Sequence, residues 1–492
     1  MAKTIDNPQA NRREFFGEMG TGLYAGALAY LLGRDLHAPS IARAEESPPA
    51  TPSRVFDPGP RTPHFEPRAK SVIHLFMNGG PSQMDMFDPK PMLDKHHGEE
   101  YFDKIAGDVE NPFAAGALMR SPFEFDRHGK SDIWMSELLP ELSKHVDDMA
   151  FIRSMYTNNL THETALYKIH SGRLFPGNPS LGSWVVYGLG SENQNLPAYV
   201  VLDDPKGLPI NGIENWQAGY LPPLYQGTRF RSNGPPVLHL EPESPQPVEV
   251  SKLRRELLSR LDRIHKDQRF GQPQLDARIA SYELAARMQL AASAALDFSD
   301  EPKETLEMYG IGQKETDSYG RRCLLARRLV ERGVRFVQIF IEYQIWDHHG
   351  SIEAGLKRSC KKTDRPAAAL LHDLKRSGLF DDTLVVWGGE FGRLPLSQLS
   401  GKKDLKTAGR DHNKNAFTTW MAGAGIKRGT VYGATDDFGF ASVENRVAVQ
   451  DWHATILHLL GLDHEKLVFE RNGLEEKLTG VFETRVVKEI LA

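Results

Sequence analysis

Residues 334–350 read VRFVQIFIEYQIWDHHG. The run from Val334 to Tyr343 is apolar on both alternating faces, which fits a strand covered by helices on each side of a parallel sheet. It gives way to an aspartate, two histidines and a glycine. In an open α/β sheet, ligands bind beyond the carboxyl ends of the strands, so WDHHG stands where a site would be built. In extended geometry Asp347 and His349 share one face, and His348 takes the other.

Other runs repeat the pattern. SVIHLFM (71–77), MAFIRSM (149–155), PAYVVLD (197–203), TLVVWG (383–388) and FTTWMAG (417–423) read as further strands. Helical patterns lie between them. TDRPAAALLHDLKRSG (363–378) has Ala367, Leu370, Leu371 and Leu374 on one face, with Thr363 and Asp364 as its start signal. DWHATILHLLG (451–461) opens on a capping Asp451 and closes at Gly461, and SLGSWVVYGLG (180–190) is similar. Such alternation predicts a doubly wound α/β fold, with a mostly parallel central sheet and helices on both faces. Residues 246–300 interrupt it with two long helical patterns, read as a helical insertion.

The N-terminus reads as an address rather than as fold. NRREFF (11–16), an apolar stretch at 19–33 and Ala42-x-Ala44 are the three parts of an export signal of twin-arginine type, spanning residues 1–44. The apolar stretch is shorter than the roughly 20 residues that span a bilayer. The expectation is a periplasmic or secreted bacterial protein with no stable membrane span after cleavage. Residues 45–69, rich in Pro and polar residues, read as a linker. The domain is placed at 70–465, and 466–492 as a tail packing on it. Cleavage after Ala44 takes the formal charge from −5 to −6, and this acidic balance offers no bulk attraction for nucleic acid. Two cysteines, Cys323 and Cys360, are too few for a disulfide framework and lack metal-type spacing.

Polar, ionisable residues gather at the strand ends. NGGPSQMD (78–85) brings Asn78, Ser82 and Asp85 after the first strand, and the second leads to Thr161, His162, Glu163 and Thr164. GEFGR supplies Glu390 and Arg393, and GRDHNKN (409–415) supplies Arg410, Asp411 and His412. Asp347, His349, Glu390 and His412 form a mixed imidazole and carboxylate set, which suits zinc or manganese; calcium or magnesium would prefer oxygen alone. For each residue a plainer role competes: a capped turn for Asp347 and His349, a salt bridge to Arg393 for Glu390, a turn for Asn78.

FMNGGPSQMDMFDPKP, WDHHG, LFDDTLVVWGGEFGRLP, GRDHNKNAFTTWMAGAGIKRG and VAVQDWHATILHLLGL together resemble the secreted sulfatase-like family called domain of unknown function 1501, within the alkaline phosphatase superfamily. The resemblance covers roughly residues 68–465 and implies an alkaline phosphatase-like fold. HETALYKIHSGRLFP (162–176) is similar to the sulfatase stretch that starts at the formylglycine-forming cysteine, but His162 stands at that position. LKRSGLFDDTLVVWGGEFG is similar to the sulfatase run ending in S-D-H-G, with Glu390 and Phe391 replacing its last carboxylate and imidazole, and Asn78 falls where a first-strand aspartate is usual. The resemblance implies a divalent metal, zinc or manganese before calcium or magnesium, on Asp347, His349, Glu390, His412 and Asn78. It leaves the nucleophile open among His162, Thr161, Thr164, Ser82 and water, with Arg393 or Arg410 to hold an anionic group.

The expected function is an exported metal-dependent hydrolase of sulfate or phosphate esters, small or polysaccharide, lacking the formylglycine cysteine. The alternatives are a non-catalytic relative that binds an anionic glycan or a partner protein, and a metal-dependent isomerase or transferase.

Overall fold

A computed structural model describes residues 59–231, 247–268, 273–399 and 407–492, all within one unit, Arg54–Ala492. The export signal and most of the linker lie outside the described residues. Among those described, no helix is long and apolar enough to cross a membrane.

The central sheet holds nine strands: β1 (Ser71–Phe76), β2 (Met149–Tyr156), β3 (Tyr199–Leu202), β4 (Thr228–Phe230), β5 (Phe336–Phe340), β6 (Thr383–Gly388), β7 (Phe417–Gly423), β8 (Thr430–Tyr432) and β9 (Val447–Ala448). Their order is β8-β2-β7-β6-β1-β5-β3-β4, with β9 also paired to β2. All pairings are parallel except those of β7, which runs against both β6 and β2. This single reversal matters for the site. It puts the start of β7, where His412 and Arg410 approach, at the same edge as the carboxyl ends of β1, β5 and β6.

The period-2 geometry of strands sends alternate side chains into two separate cores. Val72, Phe76, Phe336, Phe340, Leu384 and Val386 pack on one face, together with Leu166, Trp184 and Trp452. These last three belong to helices α1 (His162–Ser171), α2 (Leu181–Leu189) and α7 (Val449–Leu459). Ile73, Leu75, Val337, Ile339, Val385 and Trp387 face the other way. There they meet α5 (Asp317–Glu331) and α6 (Ile352–Arg376) through Leu324, Leu356 and Leu370. The fold is therefore doubly wound, as the two-sided apolar strands imply. Cys323 and Cys360 are buried and free.

Helix α6 corrects the expected start at Thr363. It begins eleven residues earlier, at Ile352, and carries Pro366 in its interior. The supposed cap residues serve elsewhere: Thr363 Oγ1 donates to Ser359 O (3.0 Å), and the Asp364 carboxylate accepts from Glu141 N (2.9 Å) and Leu142 N (2.8 Å). Within 246–300 lie two long helices, α3 (Val248–Asp267) and α4 (Pro273–Leu296). Near the C-terminus Val487 and Ile490 are fully buried, and Val487 N donates to Thr455 Oγ1 of α7 (2.9 Å).

Candidate metal centre

Three histidines and one aspartate meet at the shared sheet edge. His162 is the first residue of α1, directly after β2. Asp347 and His349 sit in the loop after β5, and His412 lies in a short antiparallel ribbon opposite Arg393. The ligating atoms of the four side chains all lie within 4.8 Å of one another. Nε2 of His349 is 2.9 Å and Nε2 of His412 is 3.2 Å from Asp347 Oδ1, while His162 Nε2 is 3.4 Å from Oδ2.

An oxygen stands beside each of the opposite ring nitrogens. His162 Nδ1 is 2.7 Å from Glu390 Oε1, and His349 Nδ1 is 2.5 Å from Gln398 Oε1. His412 Nδ1 lies 2.5 Å from Glu110 Oε2, an ion-pair contact off the hydrogen-bond axis. At His162 and His349 the acceptor at Nδ1 fixes the tautomer that leaves Nε2 free to coordinate, and oxygens placed in this way are the usual partners of metal-binding imidazoles.

Charge at the centre supports the same reading. Burial pushes His162 down, but the Asp347 and Glu390 carboxylates outweigh it and hold the imidazole up at about 9. Burial alone would raise Asp347; contact with the three histidines and Arg393 instead holds it far below the usual carboxylate range. His349 is raised too, with Asp347 overcoming burial. The carboxylates thus stabilise positive charge at the point where the Nε2 atoms converge. Such an environment fits a divalent cation, and a possible His/Asp metal site exists here.

The other expected site residues are brought to this edge but are committed differently. Glu390, fully buried, accepts from Gly79 N (2.9 and 3.2 Å) as well as from His162. Its salt bridge to Arg393 is replaced by one from Arg393 to Asp347 Oδ1 (2.7 Å). The rest of the Arg393 guanidinium donates to the carbonyls of Gly80 (2.8 Å), Arg410 (3.0 Å), Trp346 (3.3 Å) and Gly79. Arg410 forms a buried bidentate pair with Asp85 (2.7 and 3.1 Å). Asn78 Nδ2 donates to the carbonyls of Ile341 (2.7 Å) and Tyr343. Gly79 has φ +114°, and a Cβ there would fall 2.6 Å from Asp347 N, so this close passage of two loops requires glycine. Ser82 is buried and donates to Asp85 (2.5 Å). Thr161 is exposed at the N-cap of α1, with Oγ1 on Asn159 Oδ1 (2.8 Å) and Thr164 Oγ1 (2.6 Å). His348 faces away as expected. Its ring lies against Gly355 of α6, and burial with the nearby Arg393 pushes it down to about 3.

Glu110 and Gln398 escaped the sequence reading, since neither follows a core strand nor sits in a recognisable spacing. Both line an open cavity of about 680 Å³ beside the cluster, together with Asn111, His349 and Asp411.

A family profile described as "Protein of unknown function (DUF1501)" matches residues 69–491. The chain belongs to this family. Among curated proteins no match is found. Solved structures similar to this DUF1501 chain include the lipoteichoic acid synthase LtaP from Listeria monocytogenes, at 9% identity over 87% of this chain and 79% of that one, with TM-score 0.34. The PsFucS1 sulfatase from Pseudoalteromonas sp. is 13% identical over 82% of this chain and 69% of its own, with TM-score 0.35. The alkaline phosphatase from the Antarctic bacterium TAB5 is 11% identical over 81% and 99%, with TM-score 0.31. Likenesses of this size carry no conclusion about activity.

Proposed function

We propose that the chain is an exported, metal-dependent hydrolase of sulfate or phosphate esters that uses water as its nucleophile. The observation that carries this reading is the convergence of three imidazole Nε2 atoms and one carboxylate, with an oxygen bonded to the opposite ring nitrogen of His162 and of His349 and a carboxylate beside that of His412. His162, Asp347, His349 and His412 would hold the ion, and three nitrogens with one oxygen suit zinc or manganese. Bound there, a divalent ion polarises an ester oxygen and lowers the pKa of water.

The chain's own residues do the remaining work. Glu390, Glu110 and Gln398 aim the imidazoles, and Arg393 clamps Asp347 to the Gly79-Gly80 loop. The cavity at Glu110, Asn111 and Asp411 admits the ester, small or at the end of a polysaccharide. Glu110 and Asp411 are the carboxylates on its wall that can take the proton of an attacking water. The Ser82 hydroxyl is buried on Asp85, a carboxylate already held by Arg410, and the Thr161 and Thr164 hydroxyls bond to each other rather than to a carboxylate. His162 belongs with the ligands in this scheme. Assays of the purified chain on aryl sulfates, phosphomonoesters and phosphodiesters, with and without added zinc or manganese, test it. Metal-dependent turnover of one ester class is expected, and its absence across the panel sinks the hydrolase reading.

A further inference from the structure

We infer that helix α3 is a self-association surface, through which two copies of the chain pair with their α3 helices antiparallel. On α3, Val250, Leu253, Leu257, Leu258, Leu261 and Ile264 are 49, 65, 58, 53, 52 and 49% exposed. At the helical turn per residue five of these side chains fall within an arc of about 80°, and Leu258 widens it to about 140° on the side away from Glu256. Ser259, on the opposite side, is half-buried, so the stripe points away from the body of the protein. A one-sided apolar stripe on a helix is normally covered.

The spacing identifies the cover. Apart from Leu258, the residues of the stripe are placed symmetrically about Leu257. A two-fold axis beside Leu257 therefore sets Val250 on Ile264, Leu253 on Leu261, and Leu257 on itself. Charges along one flank agree. Glu249 and Glu256 lie in the first half of the helix, Arg260 and Arg263 in the second. All four are exposed. The axis keeps that flank on the same side of both helices. Arg260 then comes level, within about 3 Å along the axis, with Glu256 of the second copy, and Arg263 with its Glu249. Each pair occurs twice. An anionic membrane is the rival partner for a helix of this kind, which carries six lysines and arginines against four acidic residues, but only a second copy matches both glutamates of the flank as well as its arginines. Self-pairing satisfies both the stripe and its flank.

Sedimentation equilibrium of the intact purified chain tests this directly. The parent is expected to be a dimer, and Leu257→Asp a monomer with unchanged circular dichroism. Arg260→Glu and Glu256→Arg each set like charges against one another across the axis and weaken self-association. Mixed together, the two variants are expected to pair preferentially with each other, a result that a purely intrahelical role cannot produce. A monomeric parent, a dimer that survives Leu257→Asp, or single variants without mutual preference would overturn the inference. So would pelleting of a monomeric parent with phosphatidylglycerol vesicles.

Discussion

Glu390 separates a metal ligand from a residue that aims one. It is fully buried, with Oε1 at 2.7 Å from His162 Nδ1 and both oxygens within reach of Gly79 N. Glu390→Gln keeps the shape and one acceptor at the Oε1 position, so the His162 tautomer survives while the ionised partner becomes neutral. Hydrogen bonds to charged groups are roughly twice as strong as neutral ones, and loss of such an outer partner costs about 10–100-fold in metal affinity. The glutamine change belongs at the low end, about tenfold or ~1.4 kcal/mol. Glu390→Leu removes both acceptors, strands the donors of His162 and Gly79, and belongs near 100-fold, with a further ~1–3 kcal/mol lost from folding for each stranded donor. Competition with a chromophoric chelator measures the dissociation constants. Parent-like affinity in both variants would refute the aiming role. Complete loss of metal in Glu390→Gln, equal to that in His162→Ala, would make Glu390 a ligand itself.

Three further outcomes follow from buried groups elsewhere. His74, His170 and His453 are buried near one another on the α1 and α7 side of β1; burial pushes His74 to about 3, His453 to about 4 and His170 well below its ordinary value. The unfolded chain binds protons below about pH 6.5 that the folded chain refuses, so stability falls as pH drops from there toward 4. Each histidine contributes about 1.4 kcal/mol per pH unit, and His74→Leu should lower the slope of urea-unfolding stability by that amount. Gly355→Ala drives a methyl against the His348 ring, 2.2 Å from its nearest carbon, and should cost about 1–3 kcal/mol in thermal or urea unfolding; no loss would show that the loop shifts freely. Arg410→Met leaves the Asp85 carboxylate buried without its partner and should cost about 3–5 kcal/mol, whereas Arg410→Met with Asp85→Leu recovers much of it in the same unfolding measurement.

The fold was legible because both faces of its strands are apolar. VRFVQIFIEY and TLVVWG could only be central strands, and polar residues at their ends marked the edge. The reversal of β7 was not legible, since an antiparallel strand buried on both sides looks like a parallel one. Helix α6 was misread because Thr363 and Asp364 are good caps in isolation; Asp364 caps the neighbouring turn at Leu142. At the site, Asp347, His349 and His412 could be paired from their positions after or before core strands. The placement of His162 beside them depends on where α1 begins relative to three other loops. Glu390 has the chemistry of a ligand, and only its contacts with Gly79 and His162 show it facing the outer nitrogen. Glu110 and Gln398 reach the cluster from segments with no periodic pattern.

Metal content tests the central claim most directly. The intact chain, purified without chelator and offered zinc and manganese, is analysed by plasma mass spectrometry beside a His349→Ala, His412→Ala double variant. A stoichiometric ion in the parent, lost from a double variant that remains folded, is the predicted result. A parent without stoichiometric metal, or a double variant that keeps it, would contradict the account.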